Sequence, residues 1–143
     1  MCTSLDVAAY ILAKKGPMTT IKLQKLVYYA QAWSLVWDEA PLFADRIEAW
    51  ASGPVAPVLY AAHKGKFKVS RIPGGDARKL KAFQRKSIDA VLKYYAHRST
   101  QWLVDLSHKE APWRNARQGL APGQRGNKEI PLTSMMEYYS AIL

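Results

Sequence analysis

Cysteine is nearly missing from this chain: Cys2 is the single one in 143 residues. That excludes an internal disulfide and every multi-cysteine zinc motif, and it points to a reducing compartment, with the cytoplasm as the expected location. None of the eight glycines stands in a G-x-x-x-x-G-K-[ST] or G-x-G-x-x-G loop, so nucleotide binding through those phosphate cradles is excluded. No serine occupies a G-x-S-x-G turn, which removes the nucleophile elbow. The three histidines, His63, His97 and His108, include no pair at i, i+4 that would offer zinc two ligands from one helix. His108 and Glu110 do spell H-x-E, but the P-C-x-x-C that completes a zinc deaminase site is lacking. Catalytic residues, metals and cofactors are therefore not expected, and the chain reads as non-enzymatic. Long apolar runs are lacking as well. Leu26 to Trp37 is broken by Gln31 and Ser34 and falls short of the ~20 residues a bilayer span needs. The stretch Val7 to Ala13 has neither the basic leader nor the cleavage site of a signal peptide. No membrane segment is expected.

Ordinary fractions of apolar (49%) and charged (22%) residues remain, as in a globular protein built around one core, so a single domain over 1–143 is expected. Aromatics are plentiful, with five Trp and eight Tyr. That is more than one small core readily hides, and exposed aromatics favour protein interfaces. The net charge of +10 is concentrated: residues 64–98 hold eleven Lys or Arg against Asp76 and Asp89, a local +9. A field of that sign steers acidic partners, nucleic acid among them.

Apolar spacing predicts a mainly α fold with minor β content. A first helix follows a Thr3 or Ser4 cap and stops at Gly16 and Pro17. A second, about Ile21 to Trp37, is apolar nearly all round and should be central. Lys22 and Lys25 are expected to keep its first turns wet on one side. Tyr28 and Tyr29, about 100° apart on the helix, are not expected to face one neighbour, so one should reach a second surface. Period-two alternation predicts strands at Ile47 to Ala51 and Lys66 to Ile72, paired as a ribbon, with a short helix from Pro57 to His63 between them. Ala77 to His97 reads as one amphipathic helix. Leu80, Phe83, Ile88, Val91, Leu92 and Tyr95 form its core face, and Lys79, Lys86 and Lys93 line the opposite side. That row is the expected nucleic-acid or anion contact, although Tyr95 lies on the wrong face to stack on a base. Thr100 should cap a helix through Leu106, Pro112 should open another, and Ser134 with Glu137 has capping-box spacing for a last helix carrying Met136, Tyr139 and Ile142. Ser107 or Glu110 is expected to cap a helix end, above a buried Trp113.

Four blocks carry a resemblance: "KLQKLVYYAQAW" (22–33), "PLFADRIEAWASGPVAPVLY" (41–60), "LVDLSHKEAPWRNAR" (103–117) and "IPLTSMMEYY" (130–139). In this order they resemble the Panacea domain family, also described as SocA-like or phage-associated GepA-like. The resemblance implies a small helical antitoxin that neutralises a cognate toxin by direct binding. Alternatively, as in the SocA-like branch, it implies an adaptor delivering its toxin to an ATP-dependent protease. A nucleic-acid-binding regulator using residues 64–98 is the third reading. The resemblance makes Tyr29, Trp50, Gly53, Pro54, Val55, His108, Glu110 and Trp113 the expected partner-binding set. Gly53 supplies backbone freedom and Pro54 fixes it, so the corner at 47–60 is expected to be an exposed, rigid platform presenting Trp50 or Val55 to a protein.

Overall fold

Thr3 and Asp6 open the first helix together, the Asp6 carboxylate accepting from the Thr3 N–H at 2.8 Å. Helix α1 (Ser4–Lys15) then runs to Gly16, whose φ of 80° suits a residue without a Cβ. The computed structural model describes residues 2–143. After strand β1 (Met18–Thr19), the Thr19 hydroxyl accepts from the Lys22 N–H at 3.1 Å and starts α2 (Thr20–Trp37). The rest of the chain wraps this helix. Hairpin strands β2 (Glu48–Trp50) and β3 (Gly53–Val55) lead into α3 (Pro57–His63) and strand β4 (Lys68–Val69). Helices α4 (Ala82–Tyr95), α5 (Thr100–Lys109), α6 (Ala111–Ala116) and α7 (Leu132–Ala141) follow. Helices α1, α4, α5 and α7 and strand β3 all touch α2, and every residue from Leu23 to Ala32 is buried. The fold is mainly α, with two two-stranded sheets among the described residues.

Burial on all sides forces the polar side chains of α2 to find partners inside the protein, because an unpaired buried group costs about 1–3 kcal/mol. Gln31 accepts from the Leu42 N–H at 2.7 Å and donates to the Phe43 carbonyl at 2.9 Å, so it holds the chain that returns from α2. Gln24 does the same further on, accepting from the Ala56 N–H at 2.9 Å and donating to the Ala56 carbonyl at 3.3 Å. Two glutamines thus serve as the strand that these extended segments lack.

Several expected elements pair or end differently. The strand at 47–51 does not pair with 66–72: β2 pairs with β3 (Glu48↔Val55, Trp50↔Gly53), and β4 pairs with β1 (Met18↔Val69). Gly53 at φ 118° follows a two-residue turn, and so short a loop closes at little entropic cost. The helix expected over 77–97 is broken. A 3-10 turn (Ala77–Lys79) is followed by Leu80 in extended backbone, reaching the core, and α4 restarts after Lys81, whose N–H donates to Gln84 Oε1 at 2.8 Å. The restart turns Phe83 outward and takes Lys79 out of register with Lys86 and Lys93. Ser99, not Thr100, caps α5, which continues past Leu106 to Lys109. Helix α7 begins after Pro131, and Ser134 donates to the Pro131 carbonyl rather than forming a box with Glu137. The buried face of α7 is therefore Met135 and Tyr139, while Ile142 is exposed.

Replacing Gln31 by Leu, similar in volume, should leave the Leu42 N–H and Phe43 C=O buried without partners. The expected cost is about 2–4 kcal/mol in urea unfolding.

Candidate protein-binding site

The hairpin corner is built differently from its expected form. Gly53, Pro54 and Val55 are buried, and at the turn itself Ala51 and Ser52, with part of Trp50, reach the surface. Beneath the corner lies Lys25, the residue expected to be wet. It has no exposed surface, and its Nζ donates to the Pro54 carbonyl at 3.0 Å. A Cβ on residue 53 would stand 2.6 Å from Lys25 Cε, so the glycine makes room for the lysine as well as for the turn. Burial pushes the Lys25 amine down to about 7. Trp50 is held by a 2.8 Å bond from its Nε1 to Glu48 and by an edge-to-face contact with Tyr60 at 4.8 Å. Half-buried Trp113 donates to the Trp50 carbonyl at 2.8 Å and stacks on His108 at 4.0 Å. His108 Nε2 is buried without a partner, and desolvation, then the Lys25 charge, holds its pKa below the usual histidine value. The loop after α6 is tied to this corner, with Arg117 donating to the Ala49 carbonyl at 3.1 Å. A groove of about 570 Å³ runs between Trp50–Ser52 and Arg125–Asn127.

On the other flank of α2 sits a hydrogen-bonded tyrosine cluster. Glu110 Oε1 accepts from Tyr29 at 2.7 Å and from Tyr139 at 2.8 Å. Since Tyr139 gives its one proton to Glu110, Tyr28, 3.0 Å away, must donate to Tyr139. Tyr28 and Tyr29 are therefore both core residues, contrary to the expectation that one of them points outward. Each face of α2 has a neighbour, so a 100° separation exposes neither. Glu110 does stand at the cap position between α5 and α6, as expected, but its carboxylate caps neither helix and is turned to the tyrosines instead. Desolvation raises its pKa, and the tyrosine bonds oppose that rise.

Tyr29 stacks on Tyr95 at 4.2 Å, and the Tyr95 hydroxyl accepts from Trp33 Nε1 at 2.9 Å. Trp33 and Tyr95 line a cleft of about 580 Å³ between α2, α4 and α5, together with exposed Trp37 and Tyr94, Trp102 and the buried Glu110. Trp37 is 42% and Tyr94 59% exposed, and exposed Ile142 and Leu143 extend the same patch. Of the expected partner-binding residues, only Glu110 borders this cleft. Trp37 and Tyr94 belonged to the aromatic surplus, but their meeting needs the tertiary fold. The lysine row is shortened: Lys86 and Lys93 stay exposed two turns apart on α4, whereas Lys79 lies outside that helix and borders a groove against residues 41–44.

A model of the "Antitoxin SocA-like, Panacea domain" family matches residues 23–114, and the chain belongs to that family. A 58-residue stretch is 40% identical to "Antitoxin SocA" of Caulobacter vibrioides (strain NA1000 / CB15N). The match covers 38% of this chain and 31% of that protein, so it spans less than a third of the relative's length. No solved structure matches the chain. Among the described residues, no helix is long and apolar enough to cross a membrane.

Lys25 lies within the family segment and leaves a mark on stability. The unfolded chain keeps this amine protonated up to its ordinary value of 10.5, while the folded chain releases the proton above about 7. Between those values the unfolded state binds more protons, so stability should climb with pH by up to ~1.4 kcal/mol per unit. Urea titrations of wild type and Lys25→Met from about pH 7 to about pH 9.5, below ordinary tyrosine ionisation, should show that slope only in the wild type.

Proposed function

We propose that the chain neutralises a cognate toxin protein by binding it directly, without catalysing a reaction, and that the aromatic cleft is the centre of the interface. The observation that carries this reading is the convergence of exposed Trp37, Tyr94, Ile142 and Leu143 on one concave patch of an antitoxin-family fold. Aromatic side chains in a pocket that a partner can desolvate are the residues that dominate protein affinity. Leaving such a patch in water costs about 25 cal/mol per Å² of apolar surface, which a covering partner returns. Membership of the antitoxin family supplies the kind of partner. The lysine row supports the nucleic-acid reading less well, since Lys79 lies outside α4 and only Lys86 and Lys93 share its exposed side.

The hairpin corner serves this function from beneath the surface. Lys25 fixes the Pro54 carbonyl to α2, and Trp113 ties α6 to Trp50, so the turn braces α2, one of the helices bordering the cleft, and the helix that follows Glu110.

Trp37→Ala with Tyr94→Ala truncates two exposed side chains and leaves the buried network intact. In cells expressing the cognate toxin the double variant should fail to restore growth, with affinity weakened by about 2 kcal/mol or more, roughly 30-fold in Kd. Its circular dichroism should match the wild type. Full rescue by the double variant would remove the cleft from the interface.

A further inference from the structure

Glu110 is a buried carboxylate in a strongly basic protein, and among the described residues it has no cation. The ion pairs among the described residues are Arg46 with Glu48 and Glu129, and Arg78 with Asp76. Glu110 is 5% exposed, only its Oε1 receives the two tyrosine hydroxyls, and it is the one charged side chain bordering the aromatic cleft. A carboxylate with little access to water costs free energy unless it is paired. Its Oε2 receives no hydrogen bond among the described residues and is not one of the fully buried unpaired atoms, so a donor from outside can reach it.

We propose that the cleft is an arginine pocket: the guanidinium of one arginine on the partner protein passes between Trp37 and Tyr94 and ends on Glu110 Oε2. This rests on the toxin-binding reading above and names the chemistry of its central contact. Flat, weakly hydrated guanidinium stacks on aromatic faces and donates to carboxylate at once, whereas a lysine ammonium is a compact, tightly hydrated point charge. The fold already uses the pairing internally: the Arg98 guanidinium lies 4.4 Å from the Trp102 ring centre, and that of Arg117 lies 5.1 Å from Trp113. Because Arg98 covers Trp102, the walls left for a guest are Trp33, Trp37, Tyr94 and Tyr95. Desolvation without a counter-charge is also the state in which burial raises the Glu110 carboxyl.

Two measurements on the intact chain test the pocket. Acetyl-arginine methylamide, titrated against the labelled protein, should shift the Trp33 and Trp37 indole N–H signals. The citrulline analogue, equal in shape and uncharged, should not. Glu110→Gln keeps an acceptor for Tyr29 and Tyr139 and should weaken the arginine probe about tenfold. Trp37→Leu, at an exposed position, should weaken it without touching the buried bonds. Equal binding of both probes, or binding unchanged in both variants, overturns the pocket. With the cognate toxin, replacing its arginines singly by methionine should reveal one whose loss is non-additive with Glu110→Gln. Toxin binding with no coupled arginine overturns the inference while leaving the antitoxin reading in place. If the wild type binds no toxin at all, the antitoxin reading falls, and with it the assignment of the guest to a toxin.

Discussion

The structure depends on one constraint: α2 is surrounded on all sides and carries polar side chains that must be satisfied within the protein. A helix satisfies its own backbone, but Gln24, Lys25, Tyr28, Tyr29 and Gln31 bring donors and acceptors into the core. Each therefore dictates what lies opposite. Gln31 fixes the backbone at 42–43, Gln24 that at Ala56, and Lys25 the carbonyl of Pro54. The segment from Asp38 to Ala56 has little helix or sheet to pair its groups, and it is instead paired to one side of a helix. Gln24 and Gln31 are seven residues apart, two turns, so they address neighbouring stretches of that segment from the same face. The other side of α2 meets its demand through Tyr139 and Glu110, which brings α7 and the start of α6 against it.

This constraint also separates what the residues reveal on reading from what they do not. Apolar periodicity placed the central helix to within a residue, and caps and breakers placed α1 and α3 equally well, because those signals are local. Lys25 reads as a solvated residue in a first helical turn, since nothing within the helix says otherwise. Its burial is decided by the missing Cβ of Gly53, twenty-eight positions away. Leu80 fits an apolar stripe whether the helix runs through it or restarts after it, so the pattern from Ala77 to His97 hid the break and, with it, the loss of Lys79 from the lysine row. The surplus of Trp and Tyr was visible at once, but α2, α4 and α5 each contribute part of the cleft, and no local spacing encodes their meeting.

Glu110 joins the two halves of the molecule's chemistry. Through one oxygen it holds Tyr29 and Tyr139 in the core, and it also lines the cleft. A carboxylate that would meet the proposed guest is thereby anchored to the core through two hydrogen bonds. That anchoring lowers the ordering cost of association, which otherwise consumes much of the energy gained by burying a patch of this size. The same arrangement means that substitutions at Glu110 act on folding and binding together. Trp37 and Tyr94 are more exposed and enter the fold through ring contacts with Trp33 and Tyr95, so substitutions there should act on binding more than on folding.

The distribution of charge then constrains the partner. With a local +9 over residues 64–98, the surface around α4 repels a broadly cationic protein at distances up to a Debye length, about 8 Å at physiological salt. An arginine that reaches Glu110 must therefore come from a partner whose surrounding face is neutral or acidic, so that long-range attraction brings the two together and the lone cation is delivered at contact. Steering of that kind governs the rate of encounter and weakens with salt, whereas the desolvated contact within the cleft governs the lifetime of the complex and is screened far less. Specificity arises from requiring both features in one partner: an acidic face alone finds no place in an aromatic cleft, and an arginine within a basic face does not arrive.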